Sequence, residues 1–342
     1  MDHFIDHIEI RNFKSIRELN VSGFKRINLF IGRPNVGKSN ILEALSLFSF
    51  SWSKLTDIIR VENLRELHYN GEVNEKVVVS IKREVSKDFV ETCELVFLRS
   101  MGITTVGLSR KSTSQPDNIH INDKSAYQIN DKFDVFKPSG FNAIFIDEIK
   151  KYTFKSDVKL FEKHVSFLLP PFGNNILYVL ELMPKLRKQF AQWFRQYGLR
   201  LVLDTASQSL KIQKEKGDDE VFQLPYSSVA DTLQRIIFYK TAVASNENSV
   251  LLFEEPEAHA YPPYIVEFTQ EVIKSETNQF FIVTHSPLIV NDFLEGAIDD
   301  LAIFMVDFKD GQTVAKPLTR DEIQDVHKYG VDLFFNNEAY LS

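Results

Sequence analysis

Apolar positions along the chain change period from region to region. Near the start, Ile8-Glu9-Ile10-Arg11-Asn12-Phe13 puts an apolar side chain at nearly every second place, the spacing of a strand with one buried face. The spacing predicts one strand over residues 4–16, a second over 27–31, and others over 77–81, 93–98 and 103–108, which together make an N-terminal β-rich lobe. Residues 112–131 are polar and turn-rich, an expected loop or edge insertion, and 143–146 and 152–154 are again extended in pattern. From residue 157 the period lengthens. Residues 157–167 and 175–197 carry helical spacing, split by the breaker Pro170-Pro171-Phe172-Gly173. Short strands are expected over 199–203 and 210–213, with a charged loop over 214–220.

The last third alternates. Helices are predicted over 228–244, 263–274 and 287–293, and buried strands over 250–253, 280–283 and 301–306. Helices between short apolar strands imply a parallel sheet covered on both faces. The predicted class is therefore α/β, with residues 1–342 as one domain and an inserted helical segment at about 157–220.

Composition narrows the setting. No window approaches the run of about 18 apolar residues that crosses a membrane, and the mixed acidic start lacks the form of a signal peptide. The single cysteine, Cys93, excludes an intrachain disulfide and a multi-cysteine zinc site. The cytoplasm is the expected location, with no membrane partner. A net charge of −7 argues against non-specific coating of nucleic acid, which calls for a basic chain.

Gly32-Arg33-Pro34-Asn35-Val36-Gly37-Lys38-Ser39 fits G-x-x-x-x-G-K-[ST], between a predicted strand and a predicted helix. In such a loop, backbone N–H groups curl round phosphate oxygens, Lys38 reaches the β- and γ-phosphates and Ser39 binds Mg²⁺. The helix beginning there points its positive end at the same anion. A GTPase would also need D-x-x-G and N-K-x-D. None of the 13 glycines has Asp three places before it and no Asn-Lys pair occurs, so that reading fails.

Four apolar residues, Val250-Leu251-Leu252-Phe253, lead into Glu254-Glu255. A buried strand delivers such a pair at its C-terminal end, where open α/β sheets bind ligands. Glu254 is the expected metal carboxylate. Glu255 is the expected orienter or base for an attacking water. His285 follows the next buried strand and is placed to hydrogen-bond a γ-phosphate.

Four stretches occur in a telling order: Ile10-Arg11-Asn12-Phe13-Lys14-Ser15-Ile16, the phosphate loop, Phe253-Glu254-Glu255-Pro256-Glu257-Ala258-His259, and Val283-Thr284-His285-Ser286-Pro287. Together they resemble the ABC-type ATPases of the RecF, OLD and SMC kind, often labelled AAA-family. The resemblance implies a P-loop NTPase core of ABC-ATPase type, ATP and Mg²⁺ as cofactors, and a homodimer or higher oligomer that sandwiches ATP. It implies a nucleotide-binding set of Arg11, Gly32, Asn35, Val36, Gly37, Lys38, Ser39 and Asn40, with Ser39 and Glu254 on the metal and Glu255 and His285 in catalysis. A signature helix should precede the carboxylate strand. Residues 225–235 stand there, with Ser227 or Ser228 as the expected phosphate donor, but Val229, Ala230 and Asp231 occupy the region of the usual glycines. The usual metal-contacting glutamine is also missing, since no Gln occurs between Lys38 and Gln115; His68 is the candidate substitute.

Only 57 residues follow His285, too few for a TOPRIM nuclease, and the insert shows no sustained heptads. The expected protein is a dimerising ATP switch that controls a separate effector, in the manner of anti-phage defence. The alternatives are a nucleotide-gated scaffold with little turnover and a RecF-like DNA repair ATPase. Nucleic acid is a further candidate partner through Lys185, Arg187, Lys188, Arg195 and Arg200 with their aromatic neighbours. The favoured reading of that stretch is an amphipathic helix with its aromatics inward. The apolar tail at 329–335 is expected to dock on the core or on a second subunit.

Overall fold

A computed structural model describes residues 4–49, 54–83, 89–98, 102–112, 123–136, 148–161, 163–217 and 220–341. The expected extended stretch 143–146 lies outside them. The chain begins with β1 (Ile5–Phe13), β2 (Ile16–Ser22) and β3 (Ile27–Ile31), then α1 (Lys38–Ser46) and α2 (Leu55–Ile58). The strands β4 (Val77–Arg83), β5 (Phe89–Leu98), β6 (Ile103–Ser112), β7 (Asp123–Ile129), β8 (Val135–Phe136) and β9 (Ile149–Tyr152) follow. Next come α3 (Ile176–Leu182), α4 (Pro184–Arg195), β10 (Arg200–Asp204), β11 (Ser209–Glu215), β12 (Val221–Pro225) and α5 (Asp231–Ser245). The chain ends with β13 (Val250–Glu254), α6 (Pro262–Lys274), β14 (Gln279–Val283), α7 (Pro287–Gly296), β15 (Leu301–Lys309), β16 (Gln312–Pro317), α8 (Arg320–Tyr329) and α9 (Asn337–Leu341).

These elements form two compact units. The first comprises Met1–Lys151, Asn248–Glu255 and Thr277–Ser342. It holds a seven-stranded sheet in the order β2-β1-β4-β5-β6-β7-β8, antiparallel throughout. It also holds most of a six-stranded sheet, β16-β15-β3-β14-β13-β9. In that sheet β15, β3, β14 and β13 run parallel and β16 is antiparallel to β15. One apolar cluster joins residues of both sheets with those of α1, from Ile8, Ile10 and Val79 to Leu42, Phe281 and Phe304. Phe24, Phe30, Phe281 and Phe304 form its aromatic centre, with Phe30 and Phe304 stacked at 5.1 Å.

Several expectations are corrected here. Residues 4–16 are not one strand: Lys14, at φ 49°, and Ser15 turn the chain, and Phe13 pairs with Ile16 across a two-residue loop. The polar stretch after 112 carries a strand, β7. The parallel pattern closes with β15, as expected, but that strand runs on to Lys309 and is followed by the antiparallel β16 and by α8 and α9. The helix α8 opens on a capping box of Thr319 and Glu322 and stops at Gly330, whose φ is 61°. In the apolar tail Leu333 is buried, while Tyr329 and Phe335 are 67% and 89% exposed.

The second unit comprises Tyr152–Glu247 and Pro256–Glu276. The expected helical insert carries an antiparallel sheet, β10-β11-β12, beside its helices. Among the described residues of 157–167 there is no helix. The reason is local competition for the backbone. The buried Asn175 side chain accepts from Leu169 N at 2.8 Å and donates to the Phe167 and Val165 carbonyls at 3.0 and 3.3 Å. In α4, Leu186, Phe190, Trp193 and Phe194 are buried and Lys185, Arg187, Lys188 and Arg195 are exposed, so the amphipathic reading holds. The helices α5 and α6 pack together across a buried Lys240, whose Nζ lies 2.6 Å from Glu267 and 3.3 Å from Glu271.

Phe304→Ala removes the ring at the centre of the first unit. It is expected to cost about 3–5 kcal/mol, read as a lower midpoint in urea unfolding with an unchanged slope.

Candidate functional site

The three central strands are in register. Glu254 pairs with Val283, and Val283 with Phe30. All three therefore end at one level, and the loops that follow them start side by side: Gly32 after β3, Glu255 after β13 and Thr284 after β14. Two backbone bonds tie these loops together, Glu255 N to Val283 O at 2.9 Å and Thr284 N to Phe30 O at 3.3 Å.

Two glycines make the phosphate loop sterically possible. Gly37 sits at φ 94°, and a Cβ there would fall 2.0 Å from Thr313 Oγ1 and 2.6 Å from Ser15 Oγ. A Cβ on Gly32 would fall 2.1 Å from the Val306 carbonyl oxygen. Asn35 at φ 63° takes a left-handed position that Asn tolerates better than most residues. Polar side chains brace the loop from outside. Thr313, from β16, donates its hydroxyl to the Val36 carbonyl at 2.9 Å and lies 2.6 Å from Ser15 Oγ. Ser15 Oγ also accepts from Asn40 Nδ2 at 2.6 Å.

Lys38 is buried and folds over its own loop, donating to the Gly32 and Arg33 carbonyls at 2.9 and 2.6 Å. Burial pushes its ammonium down to about 8, while the Glu255 carboxylate pulls the other way. A polar pocket of about 400 Å³ opens over the loop, lined by Ser15, Asn35, Lys38, Ser39, Arg60, Glu255 and His285 among others. The first turn of α1 abuts it.

Ser39 hydrogen-bonds the Glu254 carboxylate. Burial would push that carboxyl up, but Lys151, the Ser39 hydroxyl and Arg60 together hold it below the usual range. Lys151 Nζ is 3.6 Å from Glu254, and Arg60 forms a close ion pair with it. Arg60 also reaches the fully buried Glu43 at 3.2 Å, which in turn pairs closely with Lys14. Glu255 stands at φ 44°, a strained position for this side chain, and lies 3.5 Å from His285 Nε2. Burial and the nearby Lys38 charge lower the His285 imidazolium, with Glu255 opposing them. His285 is therefore neutral at pH 7.

The residues fit a nucleotide with Mg²⁺. Gly37 leaves room where a Cβ could not fit, and Lys38, Ser39 and Asn40 at the start of α1 line the pocket; Ser39 and Glu254 are hard oxygen donors side by side. Among the described residues no three His, Cys, Asp or Glu side chains gather as a metal site. That suits a cation held by one or two protein oxygens and by substrate phosphates.

Most expected site residues thus meet in one pocket: Gly37, Lys38, Ser39, Asn35, Asn40, Glu255 and His285 line it, and Glu254 touches it through Ser39 and Arg60. Val36 is buried beneath the loop. Arg11 is not among the lining residues. It pairs with Glu9 and lies 3.7 Å from Glu18, in a separate polar groove with Asn12, Arg17 and Tyr69. Ser227 and Ser228 form an exposed 3₁₀ turn, Tyr226–Ser228, in the second unit. His68 is buried against Asn12 and the Glu75 carbonyl and does not line the pocket. The residue from that stretch which does is Arg60. No local pattern marks it, nor Lys151 or Thr313, because each reaches the site only through tertiary packing, Lys151 and Thr313 from strands β9 and β16 and Arg60 from the segment after α2.

Thr313→Val keeps the shape and removes the hydroxyl that holds the Val36 carbonyl. The expected result is a loss of about 1 kcal/mol in stability and weaker ATP binding, by roughly fivefold or more, in calorimetric titration.

Known proteins share these features in part. A protein-family model described as "AAA ATPase domain" matches residues 4–168, and one described as "AAA domain, putative AbiEii toxin, Type IV TA system" matches residues 116–291, just over half the chain. An ATP/GTP phosphatase of Helicobacter pylori is 36% identical over 64 residues, 18% of this chain and 17% of its own. The DNA replication and repair protein RecF of Lactobacillus acidophilus is 34% identical over 53 residues, 16% of this chain and 14% of its own. The chain spans well under half the length of the curated relatives it matches, 38% at most. Among solved structures, the Smc head domain bound to the C-terminal domain of ScpA from Pyrococcus furiosus superposes with a TM-score of 0.52 at 14% identity, covering 95% of this chain and 99% of that one. With its phosphate loop and its parallel sheet, the chain belongs to the AAA ATPase-domain family, and its fold is like that of Smc heads.

Proposed function

We propose that the protein hydrolyses ATP with Mg²⁺ and acts as a dimerising nucleotide switch for a separate effector protein. The observation that carries the reading is one pocket that brings Lys38, Ser39, Glu255 and His285 together, with Glu254 hydrogen-bonded to Ser39. Bound Mg²⁺ supplies positive charge that neutralises the β- and γ-phosphate oxygens. Lys38 leaves the Gly32 and Arg33 carbonyls and meets those oxygens. Ser39 and Glu254 hold the cation, which requires Glu254 to turn away from Arg60. Glu255, exposed and already turned into the pocket by its left-handed backbone, orients a water and takes its proton. His285, neutral, donates to the γ-phosphate.

The oligomer rests on the signature-like turn. Ser227 and Ser228 are exposed at the approach to α5, available to a γ-phosphate on a second copy. The family description, which names a toxin of a toxin–antitoxin system, accords with control of a paired partner; a place in anti-phage defence belongs to the same proposal. A scaffold with little turnover is the second reading. It is favoured by the two cations already on Glu254 and by the absence of signature glycines.

Glu255→Gln is expected to bind ATP normally, lose about 10²–10⁴-fold in turnover and accumulate as an ATP-dependent dimer in light scattering. Undiminished phosphate release by this variant would remove Glu255 as the base. Wild type that binds ATP with negligible release establishes the scaffold instead.

Lys38 gives a pH signature. Its free ammonium titrates at about 8, and phosphate oxygens raise that value in the complex. Binding therefore takes up a proton above pH 8. ATP affinity is expected to be flat from pH 7 to near 8, then to fall by up to about tenfold per unit as pH rises, measured by calorimetry in buffers of different ionisation heat.

A further inference from the structure

Two cations hold the Glu254 carboxylate, and they are not equivalent. The Lys151 side chain is 5% exposed, and its ammonium is also fixed by the Ile58 carbonyl at 2.7 Å. Arg60 lines the nucleotide pocket, and its side chain is 70% exposed. Its backbone is held on both sides: the N–H donates to Glu43 Oε1 at 3.1 Å and the carbonyl accepts from Lys14 Nζ at 2.6 Å. The guanidinium spans two carboxylates, with Nε 3.2 Å from the buried Glu43 and a terminal nitrogen in close contact with Glu254. Of the two cations, only Arg60 can therefore part from Glu254 without unpacking the core. Its backbone stays in place while the exposed end of the side chain turns away.

Charge says what the contact does. Ser39 and Glu254 are hydrogen-bonded, so the oxygen donors expected on Mg²⁺ already stand together. Yet the carboxylates of Glu43 and Glu254 face three cations, Lys14, Arg60 and Lys151, and this cluster carries a net charge of +1. Lys38 and Glu255, also on the pocket, add one charge of each sign. A lone divalent cation meets a net positive charge and a carboxylate that is already paired, and both oppose it. Nucleotide phosphates reverse the balance, because they bring negative charge into the same pocket and share the cation with the protein.

We propose that Arg60 is a latch on Glu254: it keeps the site from taking a lone divalent cation and frees the carboxylate only when phosphates arrive with the metal. Arg60 is thus a positioning residue, and the proposal rests on the reading of Ser39 and Glu254 as metal ligands. Titration of the nucleotide-free full chain with Mn²⁺, followed by the electron paramagnetic resonance of the free ion, tests it. Wild type is expected to bind weakly, and Arg60→Gln about fivefold more tightly, the worth of one part-exposed ion pair. Lys14 still pairs with Glu43 in that variant. Arg60→Lys keeps the charge but offers one ammonium to two carboxylates, and is expected to show part of the gain. In a Glu254→Gln background, Arg60→Gln is expected to gain nothing, because the latch acts through that carboxylate. Equal Mn²⁺ affinity in wild type and Arg60→Gln, a lower melting temperature as the only change in Arg60→Gln, or a gain that persists without Glu254 would each overturn the proposal. If wild type hydrolyses ATP while those affinities are equal, the latch alone fails; if wild type neither binds nor hydrolyses ATP, the reading beneath it fails.

Discussion

The register of three five-residue parallel strands is the constraint on which the site hangs. Side chains on a strand alternate faces, so a slip of one residue between β13 and β14 would turn Glu254 away from Ser39 and bury Glu255 in its place. The strands leave little room for such a slip. All five residues of β3 and of β14 are buried, as are four of the five in β13, and Phe30, Phe281 and Phe304 interlock across the sheet. The same packing that stabilises the first unit thus sets where three loops begin. Their chemistry is a consequence of strand length and alignment.

Charge is the second organising force. Glu43 is buried at the level of the core, and an unpaired carboxylate there would be prohibitive. Lys14 from the β1–β2 turn and Arg60 from the segment after α2 satisfy it. Arg60 extends the same chain of ion pairs to Glu254, where Lys151 of β9 meets it from the other side. Five charges from five places along the sequence are thus linked in one network, in which Arg60 and Lys151 pair with Glu254 directly. Burial of Lys151 lowers its ammonium, Glu254 and Glu43 counter that shift, and the Arg60 and Lys14 charges add to it, so the buried cation depends on the two carboxylates. The network keeps Glu254 ionised and also keeps it engaged, which couples entry of a cation to displacement of Arg60.

The second unit follows different rules. Its core depends less on regular elements and more on single polar side chains in irregular backbone. Asn175 holds a loop that its apolar spacing alone would make a helix, and Lys240 sits between α5 and α6 with two glutamates around it. Periodicity is blind to both, because each is one residue acting at a distance against the local pattern.

Local order was legible wherever local physics decided it. The glycines of the phosphate loop, the apolar runs that become β3, β13 and β14, and the amphipathic face of α4 all follow from sterics and burial within a few residues. Even α8, missed by spacing, carries readable marks in Thr319, Glu322 and Gly330. The long-range partners were not legible. Ser15 and Thr313 stand 298 places apart and meet within 2.6 Å; Arg60 and Glu254 are 194 apart. Nothing near any of them announces the other, because a hydrogen bond or an ion pair needs proximity alone and proximity here is created by the tertiary arrangement of strands and the turns between elements. The residue types and their short spacings determined an α/β fold with a phosphate loop and singled out the carboxylates at the end of its β13 strand. Tertiary packing, of distant strands and of the turns and segments beside them, chose the cations and hydroxyls that surround them.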